Sequence, residues 1–355
     1  FHYTLALVYN SSRHNSKRGG KKKMKISIYD VAKKAGVSVV TVSRVINHSP
    51  SVRENNREKV LQAMQELNYT PSAAARSLAK GSTNVIGLVM PGYLDSFFFQ
   101  VVTAIEKELE KRGYFLALSL DTRRETGDGE CYLFQQDRVD GIILLTPLFE
   151  SRDIPELKMK GIPFVVVDSQ SGDSNFPSVM VDNRRAGREA ALYLAGLGHD
   201  CIAHVGGPLD LLTSREREDG FLEGLAEKGL KPAFSHHGEY CTGTGQQALK
   251  SHLKKLRLPA AIFAGDDNIA FGIIDEARAA GLRVPEDLSV IGFDDHPYSS
   301  ELNPMLTTFR QPSDRLSKDA VELLFRVMEG KTKRLSVSKL EAEMIIRKST
   351  IKKTK

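Results

Sequence analysis

The sequence predicts an α/β protein with a small all-α head at its N-terminal end. Three observations predict it. Residues 28–47, IYDVAKKAGVSVVTVSRVIN, hold two short amphipathic helical stretches on either side of Gly36. From Val85 onward, short apolar runs alternate with amphipathic helical stretches, a pattern that builds parallel sheets covered on both faces. The chain has 355 residues, more than the roughly 250–300 at which single cores stop growing.

In the head, Ile28, Val31 and Ala32 are spaced to face a core from a first helix, and Asp30 suits its first turn. Ala32 is small enough for a second helix to cross closely. Gly36 falls where a tight turn needs positive φ. Ser38 can cap a second helix whose Val42, Val45 and Ile46 return to the core. Val39, Val40, Thr41, Ser43 and Arg44 are left near the N-terminal end of that helix, the end a recognition helix presents to the major groove. An ordinary helical hairpin is the bland alternative. A third amphipathic helix is expected over residues 52–67, with Val60, Met64 and Leu67 on one stripe, ending at Asn68-Tyr69-Thr70-Pro71.

Charge supports a DNA-binding end. Residues 1–23 hold six Lys/Arg and no acid, residues 24–80 carry +5, and the remainder carries −5 within a total of +6. A basic head on an acidic body suits attachment to nucleic acid through one end. The 41% hydrophobic, 26% charged composition is that of a globular protein. No apolar run approaches the roughly 20 residues of a membrane span. The three cysteines, Cys131, Cys201 and Cys241, are scattered without CxxC spacing, so neither zinc nor a disulfide framework is expected. That fits a reducing cytoplasm.

Residues 72–80, SAAARSLAK, are too short to hold a helix alone. The α/β pattern starts after Gly81. In order, DVAKKAGVS, TVSRVIN, NYTPSAAARSL, VDGIIL, GLGH, AIFAGDDNIAFG, VPEDLSVIGFDD and LTTFRQP resemble the lactose-repressor (LacI/GalR) family of bacterial transcription regulators from Met24 to about Lys348. The resemblance implies a helix-turn-helix DNA-binding domain (24–71), a hinge helix (72–81) and a two-subdomain periplasmic-binding-protein-like α/β core that binds ligand and dimerises (82–350). Its subdomains would be about 85–180 with 312–338 and about 181–309 with 339–350. Val39, Val40 and Arg44 then occupy base-reading positions, and Ser38, Thr41 and Ser43 suit phosphates. Two valines offer only apolar contacts, for instance to a thymine methyl, leaving Arg44 as the candidate for guanine. Leu78 would wedge open a minor-groove step, or else pack on the core. Residues 1–23 read as a non-native leader, because relatives commonly begin where Met24 stands and 18–23, RGGKKK, reads as a translated ribosome-binding site. A signal peptide fits poorly, since the basic residues follow the short apolar run.

In the core, strands are expected at 85–90, 115–120, 139–145, 164–167, 202–205, 260–264 and 288–292. Helices are expected near 98–112, 184–197, 215–228, 244–256 and 268–280. Ligands of such sheets lie beyond the carboxyl ends of strands. Asp95, Asp168, Asp266 and Asp294 follow candidate strands, Arg217 lies at a loop-to-helix junction, and Gln311 on a crossover strand. The resemblance places Arg217 and Asp294 at sugar-holding positions and Asp266 where asparagine is frequent. Carboxylates and arginine can each engage neighbouring hydroxyls. Phe98, with Phe97 or Phe99, could stack on a sugar face. Turn or cap roles for Asp266, Asp267 and Asp294, and a surface ion pair for Arg217, are the alternatives. His199 and His204 read as structural.

No nucleophile–base set, metal spacing or cofactor motif is present in the sequence. The expected function is that of a ligand-responsive repressor, most simply of carbohydrate-utilisation genes. It would bind a pseudo-palindromic operator in double-stranded DNA as a homodimer, with affinity switched by a sugar-like small molecule and with no membrane attachment. A regulator driven by a protein coregulator is the second reading, and a transport sugar-binding protein the third. No heptad pattern follows Lys348, so no tetramerising coiled coil is expected there.

Overall fold

The computed structural model describes residues 26–47, 49–70, 81–92, 96–121, 131–135, 138–171, 175–331 and 337–353. The leader at 1–23, the hinge segment 72–80 with Leu78, and Asp95 lie outside the described residues. The chain divides into two compact units with the boundary between Gly81 and Ser82.

The first unit contains α1 (Ile28–Ala35), α2 (Val39–Ile46) and α3 (Glu54–Glu66). Ser27 opens α1: its backbone N and its hydroxyl both donate to Asp30 Oδ2, at 2.8 and 2.7 Å. Gly36 ends the helix at φ 66°, and its N–H returns to Ala32 O. Ser38 caps α2 by accepting from Thr41 N at 3.1 Å. Val31, Ala32, Val42, Val45, Val60 and Ala63 form the buried core, and Lys34 pairs with Glu66 at 2.6 Å across α1 and α3.

The second unit starts with β1 (Val85–Pro91), α4 (Ser96–Glu110), β2 (Phe115–Asp121), β3 (Gly141–Leu145), α5 (Glu150–Met159), β4 (Phe164–Val167) and β5 (Ser178–Val181). It continues with α6 (Asn183–Gly196), β6 (Ile202–Gly206), α7 (Leu212–Glu227), β7 (Ser235–His237), α8 (Thr242–His252), β8 (Ala260–Ala264), α9 (Asp267–Ala279) and β9 (Leu288–Ile291). The chain then returns through β10 (Thr308–Arg310), α10 (Ser313–Met328), β11 (Val337–Leu340) and β12 (Glu343–Ile345).

Two parallel sheets result, in the orders β11-β5-β4-β3-β1-β2 and β7-β6-β8-β9, while β10 and β12 pair antiparallel. The inner strands β3, β4, β6 and β8 are buried along their whole length, as expected where helices cover both faces. The first sheet takes in Leu340, which pairs with Val181. The crossings between sheets therefore fall at 181–183, 310–313 and 340–343, one to three residues from the expected subdomain limits. Strands β5 and β7 and helices α5 and α10 were not among the expected elements.

In the second subdomain, glycines let helices touch backbone to backbone. A Cβ at Gly187 would collide with Arg217 O, and one at Gly220 with Arg184 O, so α6 and α7 cross in close contact. Gly245 and Gly272 do the same for α8 and α9. An Arg184–Glu223 and Arg188–Glu227 ladder runs along the α6–α7 seam.

Candidate functional site

On the head, the candidate DNA-reading residues lie along the start of α2. Ser38, Val40 and Arg44 are exposed, Thr41 and Ser43 partly so. Val40 is 59% exposed. Val39 differs from the expectation of a free apolar contact: it is half-buried and packs on the head core. The Ser38 hydroxyl caps α2 through Thr41 N and also hydrogen-bonds the Thr41 hydroxyl at 2.9 Å, so Ser38 is first a helix cap.

In the core unit, a cleft is lined by Phe97, Phe98, Thr146, Asp168, Leu211, Thr213, Arg217, Tyr240, Asp266, Asp294 and Gln311. Thr146, Asp168 and Asp294 directly follow, or lie just past, the carboxyl ends of β3, β4 and β9, where parallel sheets place their ligands. Phe97 and Phe98 face it from the first turn of α4, whereas Phe99 is 70% exposed. The cleft is small, about 50 Å³.

Arg217 is the sixth residue of α7, not a residue of the junction, because the helix begins at Leu212. Its Nε donates to Asn183 Oδ1 at 2.8 Å and its Nη1 to Gly265 O at 2.6 Å. The guanidinium carbon stands 3.6 Å from the centre of the Phe293 ring. This buried cation is therefore held by neutral acceptors and an aromatic face, and only part of its five-donor set is used.

Asp168 is buried with φ 51°, and its Oδ1 accepts from Val181 N at 3.1 Å. Burial pushes its carboxyl up to about 6, with Glu216 adding to the rise. The loop behind it is pinned by Glu150, which accepts from Ser169 Oγ at 3.0 Å, Ser171 N at 3.2 Å and Gln170 N. Asp266 is a helix cap and a cleft-lining residue at once, capping α9 through Ile269 N at 2.8 Å. Asp294 sits at φ 100° and accepts from Gln311 Nε2 at 2.6 Å. Gln311 stands one residue beyond β10, not on it. Among the described residues, Gln311 Oε1 is a buried acceptor without a hydrogen-bond partner.

Thr146, Thr213 and Tyr240 were not foreseen. The Tyr240 hydroxyl is 2.5 Å from Ser214 Oγ, and burial pushes its phenol up. Thr146 directly follows β3 and could have been found by the same strand-end rule that found Asp168. His204 is fully buried with Nδ1 2.9 Å from Phe263 O, and burial lowers it to about 4. It is a neutral core residue. Among the described residues no His, Cys, Asp and Glu grouping could hold a metal ion, and no helix is long and apolar enough to cross a membrane.

A helix-turn-helix head ahead of a two-sheet α/β core with a polar cleft at its strand ends defines a ligand-responsive DNA-binding transcription regulator. Residues 27–72 match the bacterial regulatory proteins of the lacI family, and residues 191–350 match a periplasmic binding protein-like domain. Catabolite control protein A of Priestia megaterium is 34% identical over 333 residues, covering 92% of this chain and 100% of its own. The HTH-type transcriptional repressor PurR of Pasteurella multocida (strain Pm70) is 35% identical over 327 residues, covering 91% and 98%. A lac repressor dimer bound to operator and the anti-inducer ONPF superposes with TM-score 0.82 at 30% identity, over 92% of this chain and 99% of that one. A CelR–cellobiose complex gives 0.68 at 29% identity, over 91% and 99%. The chain belongs to the lacI family of bacterial regulatory proteins. These relatives are transcription regulators, not enzymes.

Proposed function

We propose that this protein represses carbohydrate-utilisation genes by binding a pseudo-palindromic operator as a dimer, and that a hydroxyl-rich, uncharged sugar or sugar derivative in the cleft changes that affinity. The observation that carries the reading is the cleft's chemistry. Asp168, Asp266 and Asp294 face a single guanidinium, Arg217, with Gln311 Oε1 as a further acceptor and Phe97, Phe98 and Tyr240 as apolar surface. Three carboxylates against one guanidinium favour a ligand rich in O–H groups, and a phosphate or carboxylate would meet like charge. The CelR relative was solved with cellobiose, which supports a sugar-like effector, and the lac repressor with the anti-inducer ONPF, which supports a small-molecule one. Fluorescence anisotropy of labelled operator, repeated with a panel of neutral sugars, tests this. At least one should change operator affinity at micromolar to millimolar concentration. If operator affinity answered only to a protein from cell extract, the coregulator reading would replace it.

The domain limits proposed are 24–71 for the head, 72–81 for the hinge and 82–350 for the core, with Leu78 as the hinge wedge. On the head, we assign base reading to Val40 and Arg44, with only the uncovered side of Val39 beside them, and phosphate contacts to Ser38, Thr41 and Ser43. Arg44→Ala should cost about 1–3 kcal/mol of operator binding and relax specificity at one base pair per half-site. Competition between operator variants would show this, and equal losses across all variants would assign Arg44 to phosphate instead.

For the dimer, β2 offers a surface. It is an edge strand of the first sheet, and Phe115, Leu118 and Leu120 remain exposed on it. An unprotected apolar edge is a pairing template. Leu118→Arg should weaken dimerisation by about 2 kcal/mol, roughly 30-fold in Kd, and operator affinity should fall with it. Sedimentation equilibrium checks the first, and an unchanged dimer would move the interface elsewhere.

A further inference from the structure

Asp267, the first residue of α9, does not line the cleft, yet it is tied to the segments that present Asp266, Asp294 and Gln311. Its side chain is buried. Oδ1 accepts from Thr308 Oγ1 at 2.6 Å, and Oδ2 accepts from Ser299 Oγ at 2.6 Å and His296 N at 2.7 Å. Its own N donates to Phe293 O at 2.8 Å. The three partners belong to separate segments: the crossover strand β10, the turn Pro297–Ser300, and the loop leaving β9. Two of these segments, and Asp267's own, adjoin a cleft residue. Asp266 precedes Asp267, Asp294 stands two residues before His296, and Gln311 stands three residues after Thr308. Gly292 makes the arrangement sterically possible, since a Cβ there would collide with Oδ1.

We propose that Asp267 is the positioning residue of the cleft: one buried carboxylate binds together the three segments that hold Asp266, Asp294 and Gln311, and a proton gained there is felt by all three. The functional meaning rests on the cleft being the effector site, but the test below reads the cleft without an effector. The chemistry follows from the donor count. All three partners donate to the carboxylate, and Thr308 Oγ1 also accepts from Asp295 N at 3.3 Å. When water delivers a proton to Oδ1, the Thr308 hydroxyl must turn to accept it, and its own hydrogen needs a new acceptor. His296 N cannot reverse, so the adjustment falls on Thr308 or Ser299 and on the segments carrying them. The charged and titratable groups on the surrounding elements are Asp266, Asp294, His296, and Asp295 with its partners Arg310 and Arg347, at 2.7 and 2.5 Å. Burial pushes Asp267 up to about 7, Asp266 adds to the rise, and the three hydrogen bonds oppose it. The proton is therefore exchanged in the neutral range.

The experiment is an NMR titration of the isotope-labelled full-length chain between about pH 5.5 and 10, following the Asp267 carboxyl carbon and the amides of Asp294 and Gln311. The three signals should share one midpoint. In Asp267→Asn the amide titrations should vanish while the amides remain dispersed. Should that variant fail to fold, Thr308→Val carries the test. Removing a hydrogen bond to the charged form should raise the midpoint by about one to two pH units. A purely structural role would leave the amides flat across the range, which would overturn the proposal. Amide titrations that persist in Asp267→Asn, or an unmoved midpoint in Thr308→Val, would overturn it too by assigning the proton to another group such as Asp168.

Discussion

Arg217→Ala and Asp294→Ala are each expected to abolish the response to effector while leaving operator binding in place. Arg217 is presented by α7 and Asp294 by the loop after β9, so the two contribute from separate segments of one subdomain to one cleft. Hydrogen bonds to charged groups contribute about 1.5–3 kcal/mol each, so losing either residue should weaken effector binding roughly 10- to 100-fold. The DNA-binding head is a separate compact unit, and its contacts do not depend on these side chains. Arg217→Ala also frees Asn183, Gly265 and the Phe293 ring, so Asp294→Asn, which preserves shape, is the cleaner companion. A reporter assay with operator titration distinguishes the outcomes. For an inducer, the variants stay repressed in its presence; for a corepressor, they stay derepressed. Variants that respond like wild type would remove both residues from the effector site.

The second large effect is expected where two helix backbones touch. Gly220→Ala should both destabilise the core and silence the effector response. The added methyl would meet the Arg184 carbonyl on α6, which is backbone and cannot swing aside. Overpacking of this kind costs about 1–3 kcal/mol, and each kcal/mol lowers Tm by about 2–4 °C in a domain of this size. Arg217 lies one turn before Gly220 on α7, so displacing that helix would carry the guanidinium with it. A wild-type Tm and response in this variant would show that α6 and α7 separate more freely than their contact suggests.

How much of this was legible in the sequence depended on whether the signal was local. The head was readable because Val31, Ala32, Val42 and Val45 repeat at helical spacing around one glycine. The inner strands were readable as uninterrupted apolar runs. Strand β7, Ser235-His236-His237, has no apolar signal and exists because its backbone pairs with β6. Strand β5 starts on a serine directly after Pro177 and has only three apolar residues, too short a run to stand out. Pro155 within α5 argued against a helix there. Among site residues, the strand-end rule found Asp168, Asp266 and Asp294 but says nothing about orientation, so it could not separate the lining acids from Asp267. Tyr240 reaches the cleft from a polar stretch without periodicity, and only the packing of α7 against that loop brings it in. Asp266 showed that cap and lining residue are not alternatives: one oxygen caps the helix while the residue still faces the ligand space.

Thr146, Asp168, Asp294 and Asp295 all hold left-handed backbone conformations, though none is glycine. Such positions cost non-glycine residues on the order of 1–3 kcal/mol each. The first three line the cleft, and the fourth adjoins it. A glycine would relax the backbone at each, but would bring no oxygen to a ligand. Selection for thermal robustness alone and selection for a regulated switch therefore pull on the same four codons in opposite directions. A library of this protein screened only for heat resistance should drift toward glycine there, yielding hardy repressors that have gone deaf.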